Sequence, residues 1–484
     1  MSQTYEWQVD ENEMNEIRNA LLTLSKSGLT ASDTGTLDAS SFTQGRSLVR
    51  ENLMATLQDM TVAENLYALW AAIPKHDIDA LYAQWNERSA VGDNAGGEYN
   101  KVGATEAGAP AVDSSTLARI TAPVAHYRDT RNVTDIMNRA NTTVDPMVVE
   151  DTAAARKIIQ NIDSDLYFGN RDVFAQRMYG IFPQVYGRYP SSIVDGGGLN
   201  ITSKQFINKE AAIVNILGGR LTDAFYNPSL QPDIDRLYSA NERFVQPIVI
   251  GSVDEKYPMG VTGGIDIARV NTGHGPVNLH TDPGCSVGRQ CPTAGLGTAA
   301  LRPTGPASAT SVAAGSGGNI PAGAYYYKVA YCNEFGEAVA VETTVHATVT
   351  AGQVVTITPS GAQGTATGIV VYRSAKDAAD ASDCRFLGVY PWAATVVDSG
   401  AAVPGSTCVF MFDQRAGSES VAFGRFTTLI RKKLAETDWS VPFGYNLSGT
   451  AMALRPRWIR IIKNVVPVDD PFGNGWDPLG VNGE

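Results

Sequence analysis

The chain has 484 residues, 43% hydrophobic and 18% charged, which allows two to four domains of roughly 100–200 residues, each with its own core. That balance excludes bulk disorder, and no apolar run approaches the roughly eighteen residues that a membrane-crossing helix needs. The net charge of −12, from 38 Lys and Arg against 50 Asp and Glu, argues against a broad basic surface that grips nucleic acid.

The N-terminal MSQTYEWQVDENEMNEI is acidic and has no apolar centre, so no secretion signal is expected there. Cys285, Cys291, Cys332, Cys384 and Cys408 follow no spacing pattern, and a reduced compartment without a disulfide framework is expected. Met14, Ile17, Leu21 and Leu24 recur at three and four, predicting a helix over 10–27 closed by Gly28. A second helix is predicted over 47–72 on Leu53, Leu57, Met60, Leu66, Leu69 and Ile73, ended by Pro74. Between them LTASDTGTLDASSFTQG reads as an extended arm.

From Ile78 to Arg139 the pattern changes to strand. Leu81–Glu87 and Thr116–Val133 flank a Gly/Ala-rich tip, VGDNAGGEYNKVGATEAGAPAVDSS, and predict a hairpin unable to bury much of itself. A long helix is predicted from Asp145 as N-cap and Pro146 at the first position to a closing Gly169. Glu150 and Asp151 are expected to favour its positive end. Its stripe is read as Val148, Thr152, Ala155, Ile159, Ile162 and Leu166, on a rod of about 33 Å.

Ser203–Leu217 and Asp233–Leu237 read as helices, Phe244–Gly251 as a buried strand, and GIDIARVNTGHGPVNLHTD as two strands around a Gly turn. The composition shifts most sharply over 300–412. A linker-like PTGPASATSVAAGSGGNIPAG opens a run of short alternating strands, from AYYYKVAYC to CRFLGVY, that predicts a β-sandwich inserted into the earlier domain. Beyond it, Phe423–Leu434 reads as a helix. RWIRIIKNVVPV reads as a short or edge strand limited by Pro456 and Pro467, and DDPFGNGWDPLGVNGE as a loose tail.

Catalytic constellations are thin. The histidines are His76, His126, His274, His280 and His346, and His274, His280, Cys285 and Cys291 lie at spacings of six, five and six. Zinc ligands usually pair two to four residues apart, so a plain loop is expected. The Gly-rich SIVDGGGLN lacks the Lys and Ser/Thr of a phosphate cradle, and no paired-carboxylate site stands out. Tyr325, Tyr327, Val329 and Tyr331 could stack a sugar, but their strand spacing favours the inward face of the sandwich. No catalytic, cofactor-binding or metal residue is assigned, no cofactor is expected, and the chain is read as not an enzyme.

Several stretches, in this order, resemble the major capsid proteins of tailed bacteriophages, the Hong Kong 97-type fold. SFTQGRSLVRENLMATLQDMTVAENLYALWAAIPK resembles the N-terminal arm. LYAQWNERSAVGDNAGGEYNKVGATEAGAP with ARITAPVAHYRDTRNVTDIM resembles the extended loop, and DPMVVEDTAAARKIIQNIDSDLYFGN the spine helix. IDIARVNTGHGPVNLHTD resembles strands leading back into the subunit, and YYYKVAYCNEFGEAV with GIVVYRSA an immunoglobulin-like or fibronectin type III module. The resemblance implies an α+β fold with an arm and helices over 1–77, an extended β-hairpin loop over 78–139 and a capsid core over 140–301. An inserted immunoglobulin-like sandwich over 302–412 and a return to the core over 413–484 complete it.

It further implies a homo-oligomeric shell of hexamers and pentamers around packaged double-stranded DNA, which the acidic charge suits. Portal, scaffold or accessory capsid proteins would be partners, without membrane, and the insert would face outward toward host surface or glycan. Localisation would be the virion, assembled in the host cytoplasm. Some family members crosslink a lysine to an asparagine; Lys101 lies near the loop without a matching signature, and no crosslink is assigned. The alternatives are a cellular nanocompartment shell of the same fold, and a carbohydrate-active enzyme with a fibronectin-like module. The latter would need a secretion signal and a carboxylate pair.

Overall fold

A computed structural model describes residues 67–90, 115–140, 144–201, 205–239, 267–286, 288–436, 439–469 and 476–479. The expected helix over 10–27, the arm, most of the second helix, the hairpin tip and the strand Phe244–Gly251 lie outside the described residues.

In chain order the first part of the body holds α1 (Ala68–Ala72), β1 (Lys75–Asp77), β2 (Tyr82–Ala90), β3 (Thr116–Pro123), β4 (Ala125–Thr134), α2 (Asp135–Arg139), α3 (Pro146–Phe168) and α4 (Ile181–Arg188). There follow β5 (Ile193–Asp195), α5 (Gln205–Ile216), β6 (Asp223–Tyr226), α6 (Gln231–Ser239), β7 (Arg269–Thr272) and β8 (Gly275–Thr281). The middle of the chain is all strand. It comprises β9 (Leu296–Gly297), β10 (Ser308–Ala314), β11 (Gly323–Tyr325), β12 (Tyr327–Asn333), β13 (Gly336–Glu337), β14 (Val341–Glu342), β15 (Ala347–Val349), β16 (Val354–Ser360), β17 (Gly368–Arg373), β18 (Arg385–Pro391) and β19 (Val396–Asp398). The chain closes with β20 (Thr407–Phe412), β21 (Val421–Lys433), β22 (Ser440–Ala453) and β23 (Arg460–Val465). The described chain is mixed α+β, as the sequence reading expected.

A six-stranded sheet in the order β5-β23-β20-β6-β8-β7 forms the centre of the body. Its central strand β20 is apolar on both faces because both are covered. On β20, Phe410 and Phe412 pack with Ile158, Ile162, Leu166 and Tyr167 of α3, while Val409 and Met411 pack with α5 and α6. The two-residue period of a strand sends successive side chains to opposite layers, so an unbroken apolar run is what a central strand needs.

A second sheet, β1-β21-β22-β4, shares the α3 core through Val421, Phe423, Leu447 and Ala451. The expected helix at Phe423–Leu434 is therefore wrong. Val421 and Phe423 face α3 while Ala422 faces Met452 and Ala83, a period of two that only a strand gives.

The long helix runs Pro146–Phe168. Asp145 accepts a hydrogen bond from Met147 N at 2.9 Å, and Gly169 closes the helix because a Cβ there would lie 2.5 Å from Asp165 O. Its buried stripe is Ala154, Ile158, Ile162 and Leu166; Ile159 is half-buried and Val148 exposed, so the stripe read from sequence is rotated by one residue over its first half. Glu150 and Asp151 lie past the first turn and instead meet Arg131 at 3.2 Å and Arg431 at 3.0 Å.

The middle strands form sheets β18-β17-β12-β13-β9, with β14 on β12, and β10-β16-β19, with the pair β11-β15. Tyr325, Tyr327, Val329, Tyr331, Ile357, Val371 and Leu387 share one core between them. Three boundaries move. Part of the linker-like stretch is strand β10, with Ala309 and Ser311 buried. Thr407–Phe412, assigned to the insert, belongs to the body sheet, and Ala125–Thr134, assigned to the hairpin loop, pairs with β22 along its length. Gly288 N donates to Ser406 O at 3.1 Å, which brings the two ends of residues 289–405 together. A Cβ on Gly288 would lie 2.7 Å from Gly405 N, so this neck admits only glycine.

Strand β23 is central between β5 and β20, not an edge, because Pro456 and Pro467 both fall outside it. Within the tail, Trp476 is buried: its Nε1 donates to Pro404 O at 3.0 Å, and Arg385 lies 4.0 Å from its ring centroid.

Candidate assembly surface

Strands β2 and β3 form a two-stranded ribbon, in register from Tyr82 with Pro123 to Arg88 with Leu117 and shifted by a bulge before Ala90 pairs with Thr116. Among the described residues neither strand pairs with a third, so each presents one row of backbone N–H and C=O groups with no strand partner. At the base, Ala83 packs with Ala422 and Met452. Farther out burial ceases: along β3 the first four residues are exposed, and Leu117 is 70% exposed.

An arginine holds the ribbon midway along β2. Arg188, at the end of α4, donates through Nη1 to Glu87 Oε2 at 2.9 Å and through Nη2 to Ala453 O, and its guanidinium lies 5.6 Å from the Trp85 ring centroid. Burial pulls its pKa below the usual arginine value, and the Glu87 carboxylate opposes that fall. One turn earlier Gln184 receives Ala453 N at 3.1 Å and donates to Ala451 O at 2.8 Å, so two side chains of α4 satisfy the C-terminal end of β22.

A second exposed region surrounds the far end of the β21–β22 pair. Trp439, 79% exposed, precedes β22, and its carbonyl accepts from Asp135 N at 3.0 Å at the start of α2. Ile136, 78% exposed, with Met137, Ile430 and Leu434, adds to the same end of the sheet. Scattered apolar residues are ordinary on a surface, but the Asp135–Trp439 hydrogen bond brings two large exposed ones, Ile136 and Trp439, to the same place, a candidate contact region. No sequence motif marks these residues. Arg188 and Trp439 become visible only once strand pairing is known.

The residues weighed for chemistry are dispersed. His280 Nε2 lies 3.0 Å from Asp223 Oδ1, with the ring stacked on Phe225, and Cys285 is buried in the α3 core. Cys291 lies in a separate cluster with Cys332 and Cys384, and His274 sits in the exposed turn between β7 and β8. His126 Nδ1 is 2.8 Å from Ser448 Oγ, the His346 ring lies tilted against Tyr326 with centroids 4.1 Å apart, and His76 is exposed on β1. Burial pushes the Cys291 thiol up to about 11 and the Cys332, Cys384 and Cys408 thiols up to about 12. Among the described residues no group of three His, Cys, Asp or Glu is placed to hold a metal ion. The Gly-rich stretch after Ile193 turns through Gly197 and Gly198, both at positive φ. Tyr325, Tyr327 and Tyr331 are buried and so cannot stack an external sugar. Lys101 lies outside the described residues.

No family model matches the chain, and no curated protein does. Among solved structures it is similar to the capsid of a native GTA particle, at 9% identity over 89% of this chain and 100% of that one, with a TM-score of 0.48. It is also similar to a Mycobacterium phage Adephagia chain, at 9% identity over 89% and 98%, TM-score 0.43. A third is the holo-SrpI encapsulin complex of Synechococcus elongatus PCC 7942, at 8% identity over 88% and 96%, TM-score 0.40.

Proposed function

We propose that this chain is a shell-forming structural protein, many copies of which close into an icosahedral head around double-stranded DNA. The observation that carries the reading is the β2–β3 ribbon, held along β2 through Ala83, Trp85 and Glu87 and, among the described residues, without a third strand on either edge. A ribbon that cannot bury itself gains stability by lying on another surface, and in a homo-oligomer every copy supplies both ribbon and surface. The apolar end around Ile136 and Trp439 provides a second contact. Residues 289–405 form an inserted immunoglobulin-like module on the outside of the shell, where it adds bulk or contacts host surface or glycan. Portal, scaffold and accessory capsid proteins are the further partners this role requires, and the virion is its location.

Negative-stain microscopy of the expressed full chain tests the reading. Polyhedral shells support it, and nuclease-protected double-stranded DNA within particles made during infection supports the head. Shells that enclose protein in place of DNA would instead favour the nanocompartment, and a persistent small monomer at high concentration would overturn both.

A further inference from the structure

Two carboxylates are buried side by side beneath α1. Asp163, on α3, and Asp282, just after β8, are both fully buried. Asp282 Oδ2 accepts from Leu69 N at 2.8 Å and from Tyr167 OH at 3.0 Å, and Oδ1 accepts from Gly284 N at 2.8 Å. Asp163 Oδ1 accepts from Trp70 N at 2.9 Å. The two acids thus hold consecutive backbone N–H groups of α1, the first described segment of the chain.

Asp163 Oδ2 has no donor facing it from the described residues, and the group it does meet is the Asp282 carboxyl. Gly284 makes the approach feasible, since a Cβ there would lie 2.1 Å from Asp163 Oδ2. Two adjacent buried carboxylates cannot both ionise cheaply, and an oxygen without a donor beside a second carboxylate is the place for a shared proton. Three donors face Asp282 and none among the described residues faces Asp163 Oδ2, so the geometry puts the proton on Asp163.

We propose that Asp163 and Asp282 form a proton-sharing clasp that fastens Leu69 and Trp70 to the long helix, and that alkaline pH opens it by removing the shared proton. The clasp does not depend on the shell reading. Burial, and then the neighbouring Asp282, push Asp163 up to about 8. The other titratable groups facing the pair are Tyr67 beside α1, Tyr167 on α3 and Cys285 beyond β8, with Cys408 of β20 behind Cys285. Burial raises all four above their usual values, and none offers a positive charge. The sign follows. The folded chain holds a proton that the unfolded chain releases near pH 4, so the stabilisation is complete below that value. It falls as pH rises and is lost once pH passes about 8.

The test is hydrogen–deuterium exchange of the unassembled full chain, corrected for intrinsic rates, from about pH 6 to about pH 9. Protection at Leu69 and Trp70 should fall at least about tenfold between about pH 6 and about pH 8 and level off above about pH 8, while strand β17 keeps its protection. Asp163→Asn places an amide donor where the proton was and should keep the Leu69–Trp70 protection flat over the same range. Flat wild-type protection, or an Asn variant that loses protection as the wild type does, overturns the clasp. If Asp163→Asn does not fold, infrared spectroscopy of the wild type decides. A buried protonated carboxyl band at neutral pH that titrates away near pH 8 supports the clasp, and its absence overturns it.

Discussion

Ile162 and Val148 were read from sequence as members of one stripe, yet they meet opposite environments. Ile162 is fully buried between α3 and the two body sheets, while Val148 is exposed near the start of the helix. Ile162→Ala should therefore cost about 2–5 kcal/mol, read as a lowered urea midpoint at unchanged slope. Val148→Asp should stay within about 0.5 kcal/mol of wild type, since a surface charge near a helix N-terminus is neutral or slightly favourable. Equal losses in both variants would mean that the helix is rotated relative to the packing described. Over the first half of the stripe the sequence could not choose the face, because Ile158 and Ile159 are adjacent and equally apolar. The sheet beneath them makes the choice.

At the scale of elements, the ribbon depends on a contact from elsewhere in the chain. Arg188 reaches Glu87, Ala453 O and the Trp85 ring at once, using the planar fork of its guanidinium. Arg188→Ala leaves Glu87 and a strand carbonyl without this donor, and should speed amide exchange in Tyr82–Ala90 about tenfold, a loss of about 1.5 kcal/mol, without touching α3. Arg188→Lys should recover little of this, because one ammonium cannot serve both oxygens and cover the ring. Uniform exchange along the chain in the alanine variant would place the anchor elsewhere. Shortening the tip, Gly92–Ser114, should leave a folded subunit that no longer closes shells; normal particles from that variant would remove the ribbon from assembly.

For the whole molecule, the neck at Gly288 and Ser406 decides how the chain can be cut. Excision of 302–412 removes β20 from the middle of the body sheet, together with Phe410 and Phe412, and should give insoluble protein. Joining Gly288 to Ser406 directly keeps β20 and spans a gap already closed by one hydrogen bond. That deletion should leave a folded body of lowered melting temperature, because Val173, Phe174 and Trp476 lose their partners in the middle block. Residues 289–405 expressed alone should fold as a monomeric β protein on the core around Tyr327, Val329 and Ile357. Circular dichroism with thermal melts of the three chains checks this. A body that melts like wild type, or an unfolded isolated block, would contradict the division.

The long helix with its Asp145, Pro146 and Gly169 ends, the β7–β8 pair around a Gly turn, and the tyrosine-lined strands of the middle block could be read from sequence. In each, the signal is local: a capping residue, a turn residue or a short alternating run. Tertiary structure decided the rest. Phe423–Leu434 carries apolar residues at the three- and four-residue spacings of a helix, and pairing with β22 overrides that pattern. Thr407–Phe412 looks like its sandwich neighbours because a central body strand covered on both faces is as apolar as any sandwich strand. Asp163 and Asp282 are 119 positions apart, and Arg188 and Glu87 are 101 apart. No periodicity connects such pairs, so the ribbon anchor and the clasp arise only when the folded chain brings distant charges into one low-dielectric place.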